Sequence, residues 1–157
     1  MTGDDERHLL RAIELARLAR EHGNHPFGAL LVDGEGNVLL EAENTVVTEH
    51  DSTGHAEANL VRLASRQLDP AALGGCTLYT STEPCAMCAG AIYWSNVRRV
   101  VFALGEETFR SVAGANPAND ALALPCREVF ARGDHAVEVS GPQLEEQALA
   151  VHDEFWA

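Results

Sequence analysis

The chain has 157 residues, 46% of them hydrophobic, and a formal net charge of −13 from 24 acidic and 11 basic residues. Every basic residue is arginine, only Arg98 and Arg99 are adjacent, and a field of this sign repels polyanions, which argues against a nucleic-acid partner. No apolar run nears the ~20 residues of a membrane span. The first twenty residues mix both charge signs, unlike a signal peptide; the expectation is one soluble, cytoplasmic domain over 1–157.

Residues 4–21 predict a helix, because Leu9, Ala12, Ile13, Ala16 and Ala19 share one face and Gly23 supplies a stop. The segments 27–32 (FGALLV) and 38–42 (VLLEA), joined by a Gly-rich turn over 33–37, predict a hairpin. Asp51, Ser52 and Thr53 offer caps for a second helix over about 55–68, with Leu60, Val61, Ala64 and Leu68 on one face. A strand over 76–81, a short helix over 85–95 and a strand over 97–103 follow. The stretch 104–135 carries no readable periodicity. A short strand is expected over 136–139, and Leu144, Ala148, Val151 and Phe155 mark a terminal helix. Two hairpin strands followed by strands joined through helices make a mixed sheet with helices on both faces.

Four cysteines are present, Cys76, Cys85, Cys88 and Cys126. Without a secretory signal, metal binding or redox chemistry is expected of them before disulfides. Cys76 and Cys126 stand in apolar, strand-like settings and read as buried, inert thiols. Cys85 and Cys88, three apart in EPCAMC, share one helix face and can point both sulfurs at one ion. A helix N-terminus also eases ionisation of a thiol. That arrangement suits a redox pair and a metal site equally.

The segment GHAEA, residues 54–58, favours the metal. His55 is a suitable third ligand, and no fourth Cys or His lies nearby to close a structural site. Three protein ligands leave one tetrahedral position for water, which is the catalytic arrangement of zinc. Zinc brings the pKa of that water to about 7. Glu57, two residues beyond His55, is placed to take the water proton and return it to a ring nitrogen and a leaving amine. This is hydrolytic deamination. The remaining histidines, His8, His22, His25, His50, His135 and His152, lack partners at ligand spacing and are expected in loops or facing solvent. The run Asp4-Asp5-Glu6 reads as a favourable helix N-terminus.

HAE followed by EPCAMC resembles the zinc-dependent cytidine deaminase superfamily. The resemblance runs from PFGALLV through VRRVVF and implies a three-layer α/β/α sandwich with a five-stranded mixed sheet. It implies one zinc per subunit held by His55, Cys85 and Cys88, with Glu57 as the proton shuttle. Asn44 would hydrogen-bond the substrate base, and the Ala56 backbone N–H would help hold the reacting group. YTSTEPCAMCAGAIYW looks most like small bacterial guanine deaminases, implying a free nucleobase, guanine or a related aminopurine. Cytosine, a triazine or a tRNA adenosine remain the alternatives.

Phe27 and Trp94 are candidate walls for a flat heterocycle. The resemblance also implies a homodimer in which the C-terminal segment exchanges, so that Phe155 and Trp156 cover the partner's site. A terminal helix docked on its own core fits the same residues. Acidic residues that assist proton transfer are expected after the fourth strand, where Glu106, Glu107 and Asp120 stand. Residues 142–157 hold four acidic residues and no Lys or Arg, the opposite of what a tRNA-binding segment needs.

Overall fold

The computed structural model describes residues 2–157. Helix α1 (Gly3–Glu21) starts at a capping box: Thr2 accepts from the Asp5 N–H and Asp5 accepts from the Thr2 N–H. Strands β1 (Gly28–Val32) and β2 (Val38–Glu43) form the expected antiparallel hairpin. Helix α2 (Ala56–Gln67), a short α3 (Pro70–Gly74), β3 (Thr77–Thr82), α4 (Ala86–Ser95) and β4 (Arg99–Leu104) follow. Then come α5 (Glu106–Ala113), α6 (Cys126–Ala131), β5 (Glu138–Ser140) and α7 (Glu145–Ala150). The sheet order is β2-β1-β3-β4-β5, with β1 antiparallel to both neighbours and β3, β4 and β5 parallel.

Strand alternation divides the core in two. Leu30, Val32, Tyr79 and Val101 face α1, where Leu9, Ala12, Ile13 and Leu15 meet them. Ala29, Leu31, Leu78, Val100 and Phe102 face α2 and α4, packing on Leu60, Ala64 and Ile92. These are the three layers expected. Contact between α1 and the sheet is close at Gly28: a Cβ there would stand 2.6 Å from the Ala12 carbonyl oxygen, so only glycine fits.

Three expectations are corrected. The stretch 104–135 contains α5 and α6; Phe109 and Ala113 bury one side of α5, and Cys126 and Phe130 one side of α6. The terminal helix stops at Ala150 and the chain continues in turns. Leu144, at left-handed φ 55°, precedes that helix. His8 and His152 are buried, at 4% and 2% exposure, rather than facing solvent. Cys76 and Cys126 are buried as expected.

Candidate active site

His55 and Cys85 are the N-cap residues of α2 and α4, and neither uses its side chain to cap its helix. Both are thereby free to turn toward one point. Packing of α2 against α4 brings the two helix starts together. The His55 Nδ1 lies 3.6 Å from the Cys85 Sγ and 3.5 Å from the Cys88 Sγ. A tetrahedral zinc with bonds of about 2.3 Å to sulfur and about 2.0–2.1 Å to nitrogen sets its N and S ligands about 3.6 Å apart. Both nitrogen–sulfur separations therefore match that ion, and among the described residues the three form the one His/Cys/Asp/Glu group of this kind.

The electrostatics suit a cation. The Cys85 thiol, hydrogen-bonded by Cys88 and then by His55, is brought down to about 4. The Cys88 thiol is held up by the same bond and by burial, so the pair shares one negative charge when empty. The Cys85 sulfur in turn raises the His55 pKa. Glu57, 6% exposed, is pushed up to about 7 by burial and then by the Cys85 charge, with His55 acting against both. A dication at this point would draw the carboxyl back toward its ionised form.

The cluster opens into a cavity of about 420 Å3, a size ordinary for small-molecule sites. His55, Glu57 and Cys85 lie on its floor, while Phe27, Phe109 and Trp156 supply aromatic walls. Phe27 meets Phe109 edge-on at 5.7 Å and lies 6.0 Å from Trp156. Of the candidate acidic residues, Glu106 and Asp120 line the cavity and Glu107 does not. Burial raises the Glu106 pKa, reinforced by Glu83 and Cys85.

The other expected residues part company. Ala56 is wholly buried as the first residue of α2, where backbone N–H groups lack helical acceptors. Asn44 is buried with its Oδ1 taken by the Val46 N–H at 3.0 Å, outside the cavity lining. Trp94 is 84% exposed at the far end of α4, so it walls no cavity in its own chain. Phe155 stands outside the lining, under the Arg20 guanidinium at 5.4 Å. Trp156 lies over the cavity of its own chain.

Sequence reasoning missed Glu83, His25 and Phe109, all of which line the cavity. Glu83 accepts from the Glu106 N–H and the Cys126 N–H, each at 3.1 Å, and so fastens the starts of α5 and α6 beside the metal loop. Its position directly before Pro84-Cys85 was the available signal. For Phe109 the signal was the Phe109/Ala113 spacing inside the stretch left unread.

Three converging ligands, a buried carboxylic acid and an adjoining cavity define a metal-assisted hydrolase site. The chain belongs to the cytidine and deoxycytidylate deaminase zinc-binding family, whose description as the "Cytidine and deoxycytidylate deaminase zinc-binding region" covers residues 2–104. It is thus a deaminase, hydrolysing a C–N bond, with zinc as its metal. It is 40% identical over 152 residues to a probable cytosine deaminase of Schizosaccharomyces pombe, covering 97% of this chain and 92% of that one. It is 43% identical over 110 residues to a guanine deaminase of Bacillus subtilis (69% of each). Identity with a tRNA-specific adenosine deaminase of Haemophilus influenzae is 41% over 98 residues, 62% of this chain and 57% of that one. A solved guanine deaminase structure from Nitrosomonas europaea superposes with a TM-score of 0.77 at 28% identity, over 94% of this chain and 82% of that one.

Proposed function

We propose that the protein deaminates a free nucleobase, guanine foremost, to the corresponding oxo base and ammonia. The observation that carries this reading is the joining of the His55/Cys85/Cys88 group and Glu57 to an aromatic-walled cavity of about 420 Å3. His55, Cys85 and Cys88 hold the zinc, which when bound supplies a Lewis acid that makes water acidic enough to react near neutral pH. Glu57 removes a proton from the attacking water and delivers it to the ring nitrogen beside the amino-bearing carbon. The same carboxyl then hands the second proton to the departing amine. Water adds, ammonia leaves, and the base gains a carbonyl. The Ala56 N–H steadies the oxygen at the reacting carbon. Phe27, Phe109 and Trp156 stack on the flat base and exclude water.

Guanine is favoured by Glu106 and Asp120, two further carboxyl groups at the same cavity. Guanine offers two ring N–H donors, N1–H beside its amine and one on its imidazole ring, whereas cytosine offers a single ring N–H, and so guanine has more edges for acceptors. Cytosine is the second reading, supported by the length of the match to the cytosine deaminase relative. A homodimer with one zinc per subunit belongs to the same proposal. Ammonia release from guanine, adenine, cytosine, their nucleosides and aminotriazines is the test. Guanine is expected to be turned over fastest. Turnover of nucleosides without free bases would contradict the reading, and cytosine alone would replace guanine with the second one.

A further inference from the structure

Behind Trp156 lies a histidine that the chemistry above does not use. His152 is 2% exposed, and its Nδ1 accepts a hydrogen bond from the Trp156 indole N–H at 2.9 Å. Acceptance at Nδ1 places the ring proton on Nε2. That Nε2 is buried without a hydrogen-bond partner, among Phe27 and Phe109, each with its ring centre 5.3 Å away. Burial brings the His152 pKa down to about 4, so the ring is neutral and Nδ1 remains an acceptor near pH 7. An unmet buried N–H is destabilising, a penalty that an apolar residue at this place would not carry. Such local violations gather where function needs them.

The backbone on either side is held independently. Arg20 donates to the Val151 and Asp153 carbonyls at 3.0 and 2.7 Å, and the Trp156 carbonyl accepts from the Asn119 side-chain amide at 2.9 Å. Those bonds fix where the segment runs, but none fixes the indole plane. The His152 acceptor alone bonds the indole N–H.

We propose that His152 is a positioning residue that sets the Trp156 ring as a wall of its own chain's substrate cavity. The proposal rests on the reading of that cavity as a site for a flat base. The stacking face is then prepaid in the free protein, and losing the acceptor weakens base binding more than it slows the chemical step.

The test uses a Trp94→Phe background, in which Trp156 is the one remaining tryptophan, and compares variants within it. His152→Asn returns an amide oxygen near the place of Nδ1, whereas His152→Gln and His152→Phe do not. In ligand-free protein, acrylamide is expected to quench Trp156 fluorescence more readily in His152→Gln and His152→Phe, and His152→Asn to resemble the histidine form. For whichever base is turned over, KM should rise about tenfold in the Gln and Phe variants, kcat should change less than about threefold, and Asn should restore KM. Equal quenching in all four proteins overturns the proposal, as does a fall in kcat at unchanged KM. If Phe does not fold, the Asn and Gln pair carries the comparison. If no base is turned over, the proposed function fails, and the quenching measurements still decide the role of His152.

Discussion

One buried histidine gives the stability of this molecule a pH dependence of its own. His152 stays neutral in the fold until about pH 4, whereas in the unfolded chain it takes a proton near 6.5. Between those values the unfolded state binds more protons, so stability is complete above about 6.5 and falls as pH drops toward 4. The lowering corresponds to about 3 kcal/mol at most. Urea unfolding of the native protein and His152→Phe at pH 7 and pH 4.5 measures this. The native protein should lose about 2 kcal/mol relative to the variant on going to the lower pH, a difference in which the metal ligands cancel. A constant difference would contradict the assignment. His8 titrates in the same direction, also by burial, and is common to both proteins.

Elements are joined at two places where one bond set ties distant segments. At the outer end of α1, Asp5 takes both guanidinium nitrogens of Arg99 at 3.0 and 2.8 Å and the Tyr79 hydroxyl at 2.5 Å. The third residue of the first helix, the reciprocal partner in its capping box, is thereby fastened to β3 and β4. The Asp5 side chain is 3% exposed and that of Arg99 is 28%. Removing one partner of a buried pair costs about 3–5 kcal/mol, and the partial wetting of Arg99 places Asp5→Ala near the lower end, about 3 kcal/mol. Chemical denaturation reads this directly. The second tie is the metal group, which joins the starts of α2 and α4. Saturation a thousandfold above the dissociation constant adds about 4 kcal/mol, so a strong chelator should lower the melting temperature by roughly 10 °C. Added Zn2+ should restore it. An unchanged melting temperature in protein shown to be metal-free would remove the metal from the stability of these helices.

Across the whole molecule, the succession of strands along the chain and a mixed sheet with helices on both faces were legible because the core strands are short apolar runs bounded by turn residues. The first helix was legible because its apolar face repeats at helical spacing. The HAE and EPCAMC segments gave the metal group, since ligand identity and spacing survive without knowledge of packing. What stayed hidden depends on distant partners. Burial of His8 and His152 follows from Tyr79 and from Trp156 with Phe109, none of them near in sequence except Trp156. The two helices in 104–135 are set by Glu83 at their starts and by one or two core contacts each, too few to make a periodic signal. Trp94, a candidate cavity wall by its sequence position, stands 84% exposed. That open indole suits the homodimer proposed above. Sedimentation velocity should give a dimer for the native protein and a shift toward monomer for Trp94→Asp, and a native monomer at micromolar concentration would contradict the dimer.

The central claim is that His55, Cys85 and Cys88 hold zinc while Glu57 moves the protons. Zinc content and ammonia release measured together on Glu57→Gln test it most directly. The account predicts close to one zinc per chain, an unchanged fold, and turnover lowered by at least about 100-fold, in keeping with the contribution of a positioned general acid–base. Ammonia release at the native rate with zinc in place would contradict it.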